Sequence, residues 1–145
     1  YKRQIVLHLF LLLYCFRRNS ITTLVRQNLI NIMIEDLDRA LRQMGTGDLS
    51  VGRKVKKMAR VIQVRLRAYE SALEGGHEDL SKVVTESFFA SVRPAPDIEI
   101  KLMTGYVLEA ITGLLKMSSE EVMSGRVIFP VLPDGTDREF QRAAS

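Results

Sequence analysis

Apolar residues along this chain recur mainly at spacings of three and four, the period of an amphipathic helix. The longest such series is Val51, Val55, Met58, Ile62, Leu66, Tyr69 and Leu73. At ~100° per residue these positions form one narrow stripe, which predicts a long helix with one buried side. No segment alternates between apolar and polar residues for long enough to predict a sheet.

The first two predicted helices lie before this series. Residues 5–16, "IVLHLFLLLYCF", are the most apolar segment. Twelve helical residues cover only ~18 Å, too short to span a bilayer, so we predict a core helix, with a helix at a membrane interface as the alternative. The second helix is predicted to run from Ser20, as its N-cap, to Met44, with Gly45 ending it.

The third helix carries the long apolar stripe. Its start has two candidate caps, Ser50 and Asp48, and "EGG" at 74–76 should end it. The glycines and polar residues before it therefore predict a structural turn that sets the angle between the second and third helices. The residues assigned to this turn are Gly45, Gly47, Asp48 and Ser50.

Two more helices and a short one follow. We predict a fourth helix over about 78–92, ended by "RPAP" at 93–96, and a fifth from Asp97. Gly105 and Gly113 on the fifth helix predict close packing of helices.

The C-terminal part begins with a capping box. Ser118 and Glu121 have the required spacing and predict a short helix that ends at Gly125. The prolines in "RVIFPVLP" then predict an extended segment over the helices. We therefore predict an all-α, single-domain protein of about five packed amphipathic helices over 1–132, with a polar, mobile tail at 133–145.

The composition is that of an ordinary globular domain, since 46% of residues are apolar and 26% are charged. The formal net charge of +4 favours anionic partners. Cys15 is the one cysteine, so the chain has no internal disulfide, which suits a reducing compartment.

The sequence contains no recognisable catalytic or metal-binding pattern. His8 and His77 lie far apart and lack a second ligand three or four residues away. Asp36 and Asp38 would lie ~200° apart on a helix and could not share a cation. The sequence has no Gly-x-Ser-x-Gly elbow, and "GTGDLSVG" lacks the spacing of a phosphate-binding loop. We predict no catalytic residues, no metal and no cofactor.

The third helix does carry an unusual charge pattern, with seven basic residues and no acid between Leu49 and Tyr69. Five of the seven would fall within ~100° of one another, opposite the apolar stripe, on a surface ~21 Å long. We call this set the cationic ridge and predict that it binds an anionic surface. Its members are Arg53, Lys56, Lys57, Arg60 and Arg67.

Three interpretations of the ridge stay open: a solvated helix face, a contact with anionic lipid, and a contact with nucleic acid. A helical nucleic-acid-binding protein that uses the basic helix 50–73 is the main alternative for function. A sequence-specific helix-turn-helix protein fits less well, because the two flanking helices are ~24 residues each and the turn looks longer than usual.

Residues 35–73, "EDLDRALRQMGTGDLSVGRKVKKMARVIQVRLRAYESAL", closely resemble the central sequence of the ubiquinol-cytochrome c chaperone family, as found in alphaproteobacteria. The matching positions are Leu41, Arg42, Met44, Gly45, Gly47 to Val51, Ala68, Tyr69, Ala72 and Leu73. "VLHLF" at 6–10 is similar to a Leu-His-x-Trp element of the family, with Phe10 in place of tryptophan.

The resemblance implies a helical, non-catalytic assembly factor that binds newly made cytochrome b. In mitochondria, relatives assist the assembly of respiratory complex III, act with a small partner protein and sit near the ribosomal tunnel exit. For a bacterial member the resemblance implies a cytoplasmic protein, peripheral at the inner face of the membrane, with no specific DNA partner. The cationic ridge would then face the membrane or the ribosome.

Overall fold

The computed structural model describes residues 2–131, and these residues form helices joined by short connections, with no strand among them. The helices are α1 (Lys2–Arg18), α2 (Thr23–Gln43), α3 (Asp48–Gly75), α4 (His77–Phe88), α5 (Asp97–Lys116) and α6 (Ser119–Met123). The prediction of an all-α fold is confirmed for this part of the chain. The tail predicted at 133–145 lies outside the described residues.

Helix α5 supplies much of the core because one side of it is buried along its whole length. Met103, Val107, Ala110 and Leu114 are each at most 1% exposed. They belong to one large cluster with residues of α1, α3 and α4.

As predicted, the apolar segment at 5–16 lies in a core helix: Leu7 and Leu11 of α1 are almost fully buried. No helix within residues 2–131 is long and apolar enough to cross a bilayer.

Helices α2 and α3 form an antiparallel hairpin. A smaller buried cluster on α1 and α3 is flanked by Leu29, Met33 and Leu37 of α2 and by Leu66 of α3. Leu29 near the start of α2 and Leu66 in the second half of α3 pack against the same cluster, whereas Arg42 at the end of α2 pairs with Asp48 at the start of α3, so the two helices run side by side in opposite directions. The buried side of α3 is the predicted stripe, in which Val51, Ile62 and Tyr69 are buried.

The start of α2 differs from the prediction. Ser20 is not the N-cap; the cap is Thr22, whose side chain accepts a hydrogen bond from the Val25 backbone N–H. Ser20 instead has a φ of 54° and ends the preceding helix, because the Ile21 N–H bonds to the Phe16 carbonyl across it. This is the left-handed position after a helix, where glycine is the usual residue.

Helix α3 begins earlier than predicted, and neither Ser50 nor Asp48 caps it. Its N-cap is Gly47, without a side-chain hydrogen bond. Ser50 lies inside the first turn and donates its hydroxyl to the Gly47 carbonyl at 2.9 Å. The turn between α2 and α3 is therefore only 44–47.

Two predictions about α4 and α5 are wrong. Helix α4 ends at Phe88 and not near residue 92. The Phe89 N–H still bonds to the Thr85 carbonyl, but the Val92 N–H then bonds to the Phe89 carbonyl in a turn. Gly105 and Gly113 do not mark close packing: both are exposed, and a Cβ added at either would meet nothing within 4 Å.

The predicted capping box is present. The Ser118 hydroxyl accepts a hydrogen bond from the Glu121 N–H, and the Glu121 carboxylate accepts one from the Ser118 N–H. Residues 126–131 are neither helix nor strand, and Val127 and Phe129 pack against the core. The described part of the predicted extended segment therefore covers the helices as expected.

Candidate functional site

All five residues of the cationic ridge lie exposed on α3. None of them forms an ion pair with an acid of residues 2–131. Their positive charge is therefore available to a partner. Whether they bind an anionic surface stays a prediction.

The other two basic residues of the stretch point elsewhere, as their positions on the helix require. Arg65 is partly buried, and its Nη1 donates to the Ser87 hydroxyl at 2.8 Å, which ties α3 to α4. Lys54 reaches back to the Thr46 hydroxyl at 3.4 Å. Tyr69 lies beside this link: burial raises the pKa of its phenol, while the Ser87 hydroxyl and the Arg65 charge lower it.

An apolar groove runs between α1, α2 and α3 and has a volume of ≈ 340 Å³. We call it the α1–α3 groove. Its apolar lining comes from all three helices and consists of Ile5, Val6, Met33, Leu37, Met58, Val61 and Ile62. Three cations, Arg3, Lys57 and Arg65, complete the lining, and no acid is part of it.

The guanidinium of Arg3 is fixed at this groove. Its Nη1 donates to the Phe88 carbonyl at 3.1 Å, at the C-terminal end of α4. A cation at this end also interacts favourably with the helix dipole. The cations of the α1–α3 groove therefore include two guanidinium groups, of Arg3 and Arg65, each held by one hydrogen bond and carrying further donors.

A second groove lies between α3 and α4, with a volume of ≈ 390 Å³. It is lined in part by Arg60, Val64 and Glu86, and it shares Val61 and Arg65 with the α1–α3 groove. The two grooves therefore meet along α3. Val61 is 48% exposed, so this junction is an open apolar surface.

Sequence reasoning missed both grooves. One indication was present, because Val61 and Val64 are apolar residues that fall outside the predicted stripe of α3. The contributions of α1 and α2, above all Ile5 and Met33, depend on how three helices pack together. Their spacing along the chain does not contain that information.

The turn between α2 and α3 has a well-defined geometry. Gly45 has a φ of 78°, and the Thr46 N–H bonds to the Leu41 carbonyl across it. Asp48 accepts a hydrogen bond from Arg42 Nη1 at 2.6 Å. The end of α2 is thus tied to the start of α3. Gly47 needs no special backbone conformation, since its φ is −60°.

This hairpin does not resemble a helix-turn-helix DNA-binding unit. The turn of 44–47 is as short as in such units, so our argument from turn length was wrong. The helices, however, contain 21 and 28 residues and lie antiparallel. In a helix-turn-helix unit the two helices are short and cross at a large angle.

No other cluster within residues 2–131 suggests chemistry. His8 bonds to the Gln4 carbonyl through Nδ1, which must therefore donate, and its Nε2 lies 2.8 Å from the Tyr106 hydroxyl. Both ring nitrogens are thus used in packing, and the ring also contacts Phe129 edge-on. No three potential metal-ligating side chains converge anywhere in the described residues.

Comparisons with known proteins give one consistent result. The model of the family described as "Ubiquinol-cytochrome C chaperone" matches residues 3–129. The Cbp3 homolog from Brucella abortus, known from a crystal structure, is similar with a TM-score of 0.72 and 26% identity, over 88% of this chain and 70% of that chain. No curated protein sequence matches this chain. Because the family match covers nearly all described residues, the chain belongs to the ubiquinol-cytochrome C chaperone family.

Proposed function

We propose that this protein is a non-catalytic chaperone that binds newly made cytochrome b during assembly of the ubiquinol-cytochrome c reductase complex. Family membership supports the chaperone role. The α1–α3 groove is the observation that carries the proposal for the binding site. It is open and apolar, and it is bordered by cations without an acid.

An apolar client segment is the occupant that the α1–α3 groove fits. A membrane protein exposes long apolar segments before it is inserted and assembled, and these segments aggregate unless they are covered. Met33 and Met58 line the groove, and flexible methionine side chains adapt to clients of irregular shape. Arg3 and Arg65 can hold carboxylate groups that flank such a segment.

The cationic ridge gives the chaperone a second contact. We propose that it meets an anionic surface, either the cytoplasmic face of the membrane or the ribosome, and so keeps the chaperone where cytochrome b emerges. With the membrane as that surface, the protein is peripheral at its inner face. A small partner protein, as in mitochondrial relatives, is part of the proposal through the resemblance alone.

Site-specific crosslinking tests the client site. A photo-activatable residue replaces Val61, at the junction of the two grooves, in the full chain expressed in its own cells. We expect a crosslinked product that contains cytochrome b. The matched control is the same residue in place of Leu24 on α2, which is 69% exposed but lines neither groove.

The control distinguishes binding at the α1–α3 groove from non-specific crosslinking at any exposed apolar position. Cytochrome b crosslinked from position 61 and not from position 24 would support the proposed site. Equal crosslinking from both positions would remove the groove from the mechanism. Absence of cytochrome b from the products at both positions would contradict the proposed client.

A further inference from the structure

The ridge face of α3 also carries apolar residues that are mostly exposed, one of which, Val64, also lines the groove between α3 and α4. Leu49 is 95% exposed and Val64 is 66% exposed. At ~100° per residue both fall inside the arc of the five ridge cations. Met44, in the turn that precedes α3, is 73% exposed. The face therefore combines cations with large apolar side chains that remain in water.

The neighbouring acids within residues 2–131 form no ion pair with the ridge cations. Glu86 of α4 lines the groove between α3 and α4 together with Arg60 but forms no ion pair with it. On α3 itself Asp48 precedes Leu49 and pairs with Arg42. Glu70, beyond the ridge, pairs with Arg17. The cations of this face thus span ~21 Å of helix, from Arg53 to Arg67.

We propose that α3 lies flat on an anionic lipid bilayer, with the ridge cations at the phosphate groups and with Leu49, Val64 and Met44 entering between them. The inference rests on the proposed contact of the ridge with an anionic surface and selects lipid as that surface. Charge complementarity applies to lipid and to RNA alike. The exposed leucine, valine and methionine decide between them, since apolar side chains gain by entering the acyl boundary and gain little against a sugar–phosphate backbone.

This orientation brings the client site to the membrane. Lys57 belongs to the ridge and also lines the α1–α3 groove. With the ridge on the bilayer, the groove opens at the level of the headgroups. An apolar segment that leaves the groove would therefore meet lipid directly.

Tryptophan fluorescence reports insertion directly, because the natural sequence contains no tryptophan. In Leu49→Trp, vesicles of phosphatidylcholine and phosphatidylglycerol should shift the emission to shorter wavelength, and brominated lipids should quench it. The control, Leu24→Trp on α2, is similarly exposed but off the ridge face. Its emission should not change. An unshifted emission at position 49, or an equal shift at both positions, would overturn the proposal.

Sedimentation with the same vesicles tests charges and apolar residues separately. Leu49→Ser combined with Val64→Ser should weaken binding to anionic vesicles at least about fivefold and leave binding to a structured RNA unchanged. Arg53→Gln, Lys56→Gln and Arg67→Gln together should weaken vesicle binding about 100-fold. These three cations line neither groove, so crosslinking from position 61 to an apolar peptide added to the purified protein should persist.

The control variant for the apolar pair is Leu24→Ser combined with Ile98→Ser, at exposed positions on α2 and α5. It should bind vesicles as the natural protein does. The natural protein failing to bind anionic vesicles, or binding structured RNA in preference to them, would refute the lipid contact. Either result would leave the proposed client site intact, because that site has its own readout.

Discussion

Replacement by alanine should change the free energy of unfolding in opposite directions at two glycines. Gly76 joins α3 to α4 with φ 102° and ψ −170°, whereas Gly113 lies within α5. A Cβ would meet no atom within 4 Å at either position. Alanine therefore changes only the backbone energetics, which makes the pair a clean comparison.

The magnitudes follow from the backbone conformations. The region that Gly76 occupies is almost exclusive to glycine, and holding another residue there costs about 1–3 kcal/mol. Alanine also lowers the conformational entropy of the unfolded chain, which stabilises the folded protein by about 0.4–1 kcal/mol. We expect Gly76→Ala to lower the free energy of unfolding by about 1–2 kcal/mol. Gly113→Ala should raise it by about 0.5–1 kcal/mol, because alanine is the better helix former.

Denaturant and thermal unfolding measure both effects. For a chain of this size, 1 kcal/mol corresponds to roughly 3 °C in the melting temperature. Gly76→Ala should therefore melt a few degrees below the natural protein and Gly113→Ala slightly above it. If Gly76→Ala were as stable as the natural protein, the junction of α3 and α4 would not have the conformation described. The placement of Ser87 beside Arg65 would then be in doubt as well.

Three further results are expected. Ser20→Gly should raise the free energy of unfolding by about 0.5–1 kcal/mol, since Ser20 has a φ of 54°; an unchanged value in denaturant unfolding would contradict this conformation. Cys15 is 1% exposed and burial raises its pKa, so a thiol reagent at neutral pH should modify it only as the protein unfolds; rapid modification of the folded protein would show that the site is open. Hydrogen bonds from Ser118 lower the pKa of the Glu121 carboxyl in the folded protein. The ionised carboxylate should therefore stabilise the fold fully above its ordinary pKa of 4.5, and this stabilisation should disappear as the pH falls through the lower pKa of the folded state. In Glu121→Gln this part of the pH dependence of unfolding should be absent, and an unaltered profile would exclude the carboxylate as its source.

Much of the fold could be predicted because it depends on local rules. The stripe of α3 follows from helical periodicity, and its middle and end, Ile62 and Tyr69, are buried as expected. The capping box of Ser118 and Glu121 depends on residues three apart. Such features need only neighbours in sequence, and therefore a single sequence contains them.

Features that depend on competition between positions were not predictable in the same way. Ser20 and Thr22 are both good N-cap residues, and the choice of Thr22 depends on the end of α1, where Ser20 takes the left-handed position. Gly47 acts as the N-cap of α3 although Asp48 and Ser50 are stronger capping residues. Asp48 instead pairs with Arg42, a contact that exists only once the hairpin has formed.

The candidate site also divides into a predictable and an unpredictable part. Exposure of the ridge follows from its position opposite the stripe, whereas the α1–α3 groove requires the packing of three helices.

The two halves of α3 are supported differently. Its C-terminal half lies against α1 and α4, but near its start only Val51 is buried, and that residue is part of neither core cluster. The start of α3 therefore gains little of its stability from the core and is held to α2 by the turn, through Gly45 and the pair of Arg42 and Asp48. A helix end supported in this way can present Leu49 and the first ridge cations to a surface while the groove residues further along α3 stay fixed by the core. Binding at the ridge and binding at the groove can then proceed on one helix without either requiring the other to rearrange.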